Sequence, residues 1–186
     1  NALTDVSDKM ALFKKRTCVK PVSPRCEGYA SERTSSKREN TMKALVINGP
    51  NLNMLGIREP GIYGTETYDT LVQICQDAAS DLGFDGVEVF QSNHEGAIVD
   101  RIQEAYSSVD GIVINPAAYT HTSVAILDAL KAVSLPAVEV HISAVEDRED
   151  FRQISYAGMA CFARVTGEGL QGYARALKLL AEKLTK

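Results

Sequence analysis

The sequence predicts an α/β fold in which a parallel sheet is covered by helices on both faces. Three observations favour this fold: short apolar runs recur along the chain, a segment with helical spacing follows most of them, and polar residues come directly after the runs. Strands that are buried on both faces are continuously apolar, whereas strands with one wet face alternate apolar and polar residues. The pattern starts at Met42 and continues to the C-terminus.

Strands and helices alternate in the predicted order. The first strand is the run at 43–48, and residues 68–82 then place Leu71, Cys75 and Leu82 at helical spacing. The further predicted elements are a strand at 87–90, a helix near 96–107, a strand at 111–115, a helix at 123–132, a strand at 136–141, a short charged segment at 147–153, an apolar run at 161–165 and a closing helix at 170–184. Five strands in this arrangement are typical of a flavodoxin-like doubly wound fold with strand order 2-1-3-4-5.

The first 41 residues differ from the rest. They contain nine Lys or Arg and five Asp or Glu, so residues 42–186 carry the remaining net charge of -8. They also have no sustained apolar period, which predicts a disordered basic extension (1–41) before a flavodoxin-like domain (42–186). The extension lacks the apolar stretch of a secretory signal. An organellar transit peptide, vector-derived residues and translation from upstream of a start at Met42 all remain open.

Composition excludes several classes of protein. Of the 186 residues, 45% are hydrophobic and 24% are charged, as in ordinary globular proteins. The net charge of -4 does not favour nucleic-acid binding, and no run approaches the ~18 apolar residues of a membrane span. The four cysteines form no C-x-x-C pair. A cytoplasmic protein is therefore expected.

The ends of the predicted strands are unusually polar. Residues 48–53 follow the first strand, with a Gly-rich loop at 56–64 behind them, and residues 91–95, 115–123 and 141–143 follow the next three strands. All three histidines of the chain fall in these segments. Ligands of doubly wound sheets bind outside the carboxyl ends of the strands. A small anionic ligand with many oxygens would suit this edge of the sheet.

These motifs, in this order, resemble a known family. The segments are Ile47-Asn-Gly-Pro-Asn-Leu-Asn53, Arg58-Glu-Pro60, Tyr63-Gly64, Asn115-Pro-Ala-Ala-Tyr-Thr-His-Thr-Ser123, Glu139-Val-His-Ile-Ser143 and Arg152. From about residue 43 to the C-terminus the chain is similar to type II 3-dehydroquinate dehydratases. The resemblance implies a hydro-lyase that converts 3-dehydroquinate to 3-dehydroshikimate by anti elimination through an enolate. It implies no metal and no organic cofactor. The reaction would belong either to the shikimate pathway of aromatic amino acid biosynthesis or to quinate catabolism.

The resemblance also assigns the catalytic roles. Tyr63 would be the base and Arg58 its activator, because a phenol has a pKa of about 10 and a nearby cation favours the phenolate. His141 would protonate the departing hydroxyl with Glu139 orienting its ring, and Asn51 would stabilise the enolate oxygen. From the residues alone, Tyr63 could be a packing lid, His141 a structural residue, Glu139 a helix-facing or subunit-facing charge, and Asn51 a turn residue.

Binding of the substrate falls to a second set of residues. The resemblance implies that these are Asn115, His121, Ile142, Ser143 and Arg152. It also implies a homododecamer built from four trimers, in which Asp128 would reach the substrate of a neighbouring subunit. Backbone amides of Ile142 and Ser143 would meet the carboxylate. By itself, Asp128 could be a solvated helix charge, and Thr122 or Ser123 could cap the following helix.

Competing functions find little support among the sequence motifs. There is no G-x-G-x-x-G directly after the first strand, no G-x-x-x-x-G-K-[ST], no H-x-x-x-H and no G-x-S-x-G. Dinucleotide, P-loop, zinc and serine-hydrolase interpretations therefore lose support. A non-catalytic protein that binds quinate-like carboxylates on the same scaffold is the alternative, but it would have no need of Arg58, Tyr63 and His141 together.

Overall fold

The computed structural model describes residues 41–57 and 66–186. The predictions for residues 1–40 and for Arg58 and Tyr63 lie outside these residues. The strands are β1 (Met42–Asn48), β2 (Phe84–Gln91), β3 (Gly111–Asn115), β4 (Ala137–His141) and β5 (Ala163–Thr166). The α-helices are α1 (Tyr68–Asp81), α2 (Glu95–Glu104), α3 (Val124–Val133) and α4 (Gln171–Leu184). Six short 3-10 helices lie at 52–54, 105–107, 117–121, 145–147, 150–152 and 157–160.

The five strands form one parallel sheet in the order β2-β1-β3-β4-β5, which confirms the flavodoxin-like prediction. In this order the chain crosses from one side of β1 to the other between β2 and β3, and this reversal is the point at which doubly wound sheets bind their ligands. Asn48 and Asn115, the last residues of β1 and β3, are register partners. Glu139 of β4 is paired with Arg164 of β5.

Two apolar cores lie on opposite faces of the sheet. Val46 and Val113 belong to the core that α1 and α4 cover, together with Leu71 and Leu177. Ile47 and Ile114 belong to the other core, which α2 and α3 cover. Successive residues of a strand point to opposite faces, so the continuously apolar β1 and β3 supply both cores at once.

Some element boundaries differ from the sequence-based prediction. Strand β2 begins at Phe84, three residues before the predicted Val87, because residues 84–86 pair with β1 across a register shift between Met42 and Lys43. The sequence Asp85-Gly86 is itself typical of a turn, so pairing overrides local preference here. Helix α3 begins at Val124, and its N-cap is Ser123, whose hydroxyl accepts a hydrogen bond from the Ile126 amide at 2.9 Å. Of the two predicted caps, Ser123 is the one observed.

No helix in the described part of the chain is long and apolar enough to cross a membrane.

Candidate active site

One cavity opens at the carboxyl ends of β1, β3 and β4. Its described lining consists of Pro50, Asn51, Leu52, Met54, Leu55, Asn115, Ala117, Ala118, His121, His141, Ile142, Ser143, Val145, Arg148 and Arg152. Seven predicted site residues are therefore together in one cavity: Asn51, Asn115, His121, His141, Ile142, Ser143 and Arg152. The described lining holds two arginines and no carboxylate, so it favours an anionic ligand.

The loop after β1 is held against the loop after β3. The Gly49 amide donates to the Asn115 carbonyl at 2.8 Å, and a Cβ at Gly49 would collide with the carbonyl of Pro116. Asn51 follows with a left-handed φ of 68°, and its amide donates to Oδ1 of Asn93 at 2.9 Å. The side chain of Asn51 makes no capping hydrogen bond, and Asn51 lines the cavity. Its side-chain amide can therefore bind a ligand there.

A buried tyrosine joins the ends of β1 and β3. The hydroxyl of Tyr173 donates to Oδ1 of Asn48 at 2.6 Å and accepts from Nδ2 of Asn115 at 2.9 Å. Burial raises the pKa of the Tyr173 phenol well above its ordinary value, so the hydroxyl keeps its proton. Oδ1 of Asn115 accepts from the Ala117 amide at 3.2 Å. These bonds fix the Asn115 amide, and its second Nδ2 hydrogen can serve a ligand hydroxyl.

His141 lies against a buried carboxylate. Nε2 of His141 is 3.1 Å from Oε1 of Glu139, a side chain with no exposed surface. The contact has ion-pair distance but not hydrogen-bond angles, and catalytic contacts are often loose without substrate. The predicted sharing of one strand face by residues 139 and 141 is observed. Glu139 itself is not part of the cavity wall, so it acts on a ligand only through His141.

Two further groups hold Glu139. Its Oε1 accepts from the Ser155 hydroxyl at 2.6 Å, and its Oε2 accepts from Nε of Arg164 at 2.7 Å. Burial by itself would raise the pKa of Glu139, but contact with His141, the Ser155 hydrogen bond and the Arg164 charge together lower it. The carboxylate is therefore ionised at neutral pH, and it can orient the His141 ring.

His121 enters the cavity as a neutral ring. Its Nδ1 lies 2.8 Å from the Ile154 carbonyl, so Nδ1 carries the proton and Nε2 keeps a lone pair. Burial lowers the pKa of His121, and the charges of Arg152 and His141 lower it further, against an opposing effect of the Ile154 hydrogen bond. A neutral imidazole in this tautomer can accept a hydrogen bond from a ligand hydroxyl.

The arginines lie in the segment after β4. Nε of Arg152 donates to Oε2 of Glu149 at 2.8 Å, and its guanidinium lies over the Phe151 ring, 4.9 Å from the centroid. Glu149 thus fixes the direction of Arg152 at the rim of the cavity. Arg148 contributes a second guanidinium to the lining, with its Nε 3.8 Å from the same Glu149 oxygen.

Some predicted residues are not in the cavity, and others were missed. Asp128 is exposed on α3 and does not line the cavity. Tyr173, Ser155 and Arg164 were not among the predicted site residues. Tyr173 has the helical spacing of a core residue, and no sequence signal shows that its hydroxyl meets Asn115. Within the described residues, no group of three His, Cys, Asp or Glu side chains could hold a metal ion.

Comparison with known proteins supports the resemblance. The model of the family described as dehydroquinase class II matches residues 42–181. The chain belongs to the dehydroquinase class II family. Among curated relatives, the 3-dehydroquinate dehydratase of Lachnospira eligens is 56% identical over 147 residues, which is 78% of this chain and 99% of the relative. That of Clostridium acetobutylicum is 51% identical over 145 residues, 78% of this chain and all of the relative.

Solved structures agree with this class II assignment. The type II dehydroquinase of Butyrivibrio crossotus is 55% identical with a TM-score of 0.73, over 75% of this chain and 97% of that one. The type II dehydroquinase of Propionibacterium acnes is 43% identical with a TM-score of 0.72, over 76% of this chain and 99% of that one. The predicted family and fold are thus confirmed.

Proposed function

We propose that this chain is a hydro-lyase that dehydrates 3-dehydroquinate to 3-dehydroshikimate in the cavity at the carboxyl ends of β1, β3 and β4. The family and the relatives named 3-dehydroquinate dehydratase support the reaction. The structural observation that carries the proposal is His141 on the cavity wall, backed by the buried and hydrogen-bonded Glu139. That pair provides a proton donor at the edge of an anion-binding cavity.

The reaction needs a base, a stabiliser of the enolate and an acid. The base takes the proton next to the ketone, and the electrons of the C–H bond form the enolate. The enolate then re-forms the carbonyl and expels the β-hydroxyl, which leaves as water after it receives a proton. We assign the base to Tyr63 activated by Arg58, the enolate contact to Asn51 and the acid to His141. Asn51 and His141 both line the cavity, and they belong to the carboxyl ends of β1 and β4, which β3 separates in the sheet. This separation supports the division of roles.

The remaining cavity residues are assigned to the substrate. Backbone amides of Ile142 and Ser143 would receive its carboxylate, near the positive charge of Arg152. The second Nδ2 hydrogen of Asn115 and the lone pair of His121 would meet its hydroxyls. Donors and acceptors held by protein groups pay little ordering cost on binding, so they suit a small polyhydroxylated acid.

We assign the assembly as a homododecamer built from four trimers. The exposed position of Asp128 supports this assignment, since a carboxylate outside its own cavity can reach that of a neighbour. Residues 42–186 would form the catalytic domain in the cytoplasm, with residues 1–41 as a separate extension. No observation favours the alternative of a non-catalytic binding protein.

The direct test follows the ultraviolet absorbance of the conjugated enone product after 3-dehydroquinate is added to the purified protein. Turnover that survives EDTA and is lost in Tyr63→Phe supports a metal-free lyase with Tyr63 as its base. Tyr106→Phe, at an exposed tyrosine outside the cavity, is the matched control and should keep full activity. Absence of product from the wild type, with quinate binding retained in calorimetry, would replace the lyase with a binding protein.

A further inference from the structure

We propose that Arg164 and Ser155 are positioning residues for catalysis: they hold the Glu139 carboxylate in the one orientation that supports His141. This inference rests on the proposed function, because His141 must be the proton donor for its support to matter. It concerns two residues outside the described lining of the cavity.

The first support is the enclosure of the carboxylate. Glu139 has no exposed surface, and its oxygens contact three different groups: Nε2 of His141, the hydroxyl of Ser155 and Nε of Arg164. A buried ionised carboxylate without such partners is strongly unfavourable and would take up a proton or turn towards water. Ser155 and Arg164 can therefore determine whether Glu139 faces His141 as an anion.

The second support is the route by which Arg164 reaches the carboxylate. Arg164 is the register partner of Glu139 on the edge strand β5, so their side chains share one face of the sheet. The Arg164 side chain remains 38% exposed, while the Glu139 side chain has no exposed surface. One end of this ion pair is thus in solvent and the other lies beneath the candidate active site.

The third support is the packing around the ion pair. A Cβ at Gly158 would lie 2.5 Å from Oε2 of Glu139, 2.8 Å from Nη2 of Arg164 and 2.8 Å from Oγ of Ser155. The Gly158 amide donates to the same Ser155 oxygen at 2.9 Å. Three polar side chains therefore converge over a residue that has no side chain, and their arrangement leaves no room for one.

Other charged or titratable groups near the pair do not replace Arg164. His121 lies on the cavity side and is held by the Ile154 carbonyl, and Cys161 is a thiol whose pKa burial raises to about 12. Among the described contacts of Glu139, Arg164 is the permanent cation. Its removal would leave the buried carboxylate with only the Ser155 hydroxyl and the His141 imidazole as described partners.

The test is a double-mutant cycle between Arg164 and Glu139, with kcat and KM measured for wild type, Arg164→Met, Glu139→Gln and the double variant. If Arg164 acts through Glu139, Arg164→Met should lower kcat about tenfold in the wild type but less than about twofold in the Glu139→Gln background. KM should stay within about twofold of wild type, because Arg164 is not in the cavity. Arg164→Lys, which retains the charge, should recover most of the loss.

Arg175→Met is the matched control, because Arg175 forms an exposed ion pair with Glu168 at 3.3 Å. It should leave kcat unchanged. An equal loss of kcat from Arg164→Met in both backgrounds, or no rescue by Arg164→Lys, would overturn the positioning role while the proposed function stands. A wild type without turnover would overturn both. Thermal melting of each variant separates a loss of folded protein from a loss of kcat.

Discussion

Tyr173 on the last helix accepts a hydrogen bond from Asn115 at the end of β3, across 58 positions of the chain. The same hydroxyl donates to Asn48 at the end of β1, so one oxygen links the two strands at which the sheet order reverses. The floor of the candidate site is therefore held in place by a residue of helix α4.

Replacement of Tyr173 by Phe should weaken both stability and substrate binding. The variant leaves two buried amides without their shared partner, which should lower the free energy of unfolding by about 1–3 kcal/mol. Because the Asn115 side chain is then held only by the Ala117 amide and is less firmly oriented, KM should rise more than kcat falls. Urea denaturation and steady-state kinetics measure the two effects. Tyr106→Phe is the control, and an unchanged KM in Tyr173→Phe would contradict a role in orienting Asn115.

Glu139 should make stability depend on pH in the acidic range. Its pKa is lowered in the folded state, so the unfolded chain takes up the proton first as the pH falls. Its contribution to stability is complete above the ordinary glutamate pKa of about 4.3 and is lost as the pH falls through the lower folded value. The difference in unfolding free energy between wild type and Glu139→Gln, measured by denaturation, should therefore become smaller below about pH 4.

Glu149→Gln serves as the comparison for that titration. The pKa of Glu149 is also lowered, chiefly by a hydrogen bond with its own backbone and by Arg152, but the side chain is exposed. Solvent screens exposed pairs, so the corresponding difference for Glu149→Gln should be much smaller. A difference for Glu139→Gln that stays constant with pH would contradict the lowered pKa.

Gly158→Ala should disturb the contacts of Glu139 with Arg164 and Ser155. The added methyl has no space between Glu139, Arg164 and Ser155, and such overpacking costs about 1–3 kcal/mol. We expect lower stability together with a reduced kcat. Gly96→Ala is the matched control, because Gly96 lies in helix α2 and a Cβ there would meet nothing within 4 Å. That variant should keep its activity and should lose no stability.

Asp128 should act on the site of a neighbouring subunit if the proposed assembly is right. Asp128→Ala and His141→Ala should each have little activity alone. After unfolding and refolding together in equal amounts, about a quarter of the sites should combine an intact His141 with a neighbour's intact Asp128. Activity should rise to a corresponding fraction of wild type. Mixed assemblies that native mass spectrometry detects but that show no activity would contradict the contribution of Asp128.

The strands and the site edge were predictable because they depend on local patterns, and the strand order followed from the fold of which five such strands are typical. Continuous apolar runs identify buried strands, and the polar residues that follow them must meet at one edge of a parallel sheet. Arg164 was not predictable as a partner of Glu139, because the register of β5 against β4 decides that contact and sequence alone does not define it. Nor does the spacing of α4 indicate that one of its core residues carries a bonded hydroxyl. The catalytic and binding roles of all the predicted site residues stay predictions, and Arg58 and Tyr63 also lie outside the described residues.

The bonds of Tyr173 also make the ends of β1 and β3 depend on a helix that follows all five strands in the described part of the chain. Asn48 and Tyr173 are 125 positions apart, and the hydroxyl that fixes Asn48 and Asn115 is supplied by the last helix. The chain up to β5 carries every residue assigned to the reaction, but not the hydroxyl that joins these two amides. The orientation of both amides therefore depends on the packing of α4 on the sheet and not only on the strands that carry them.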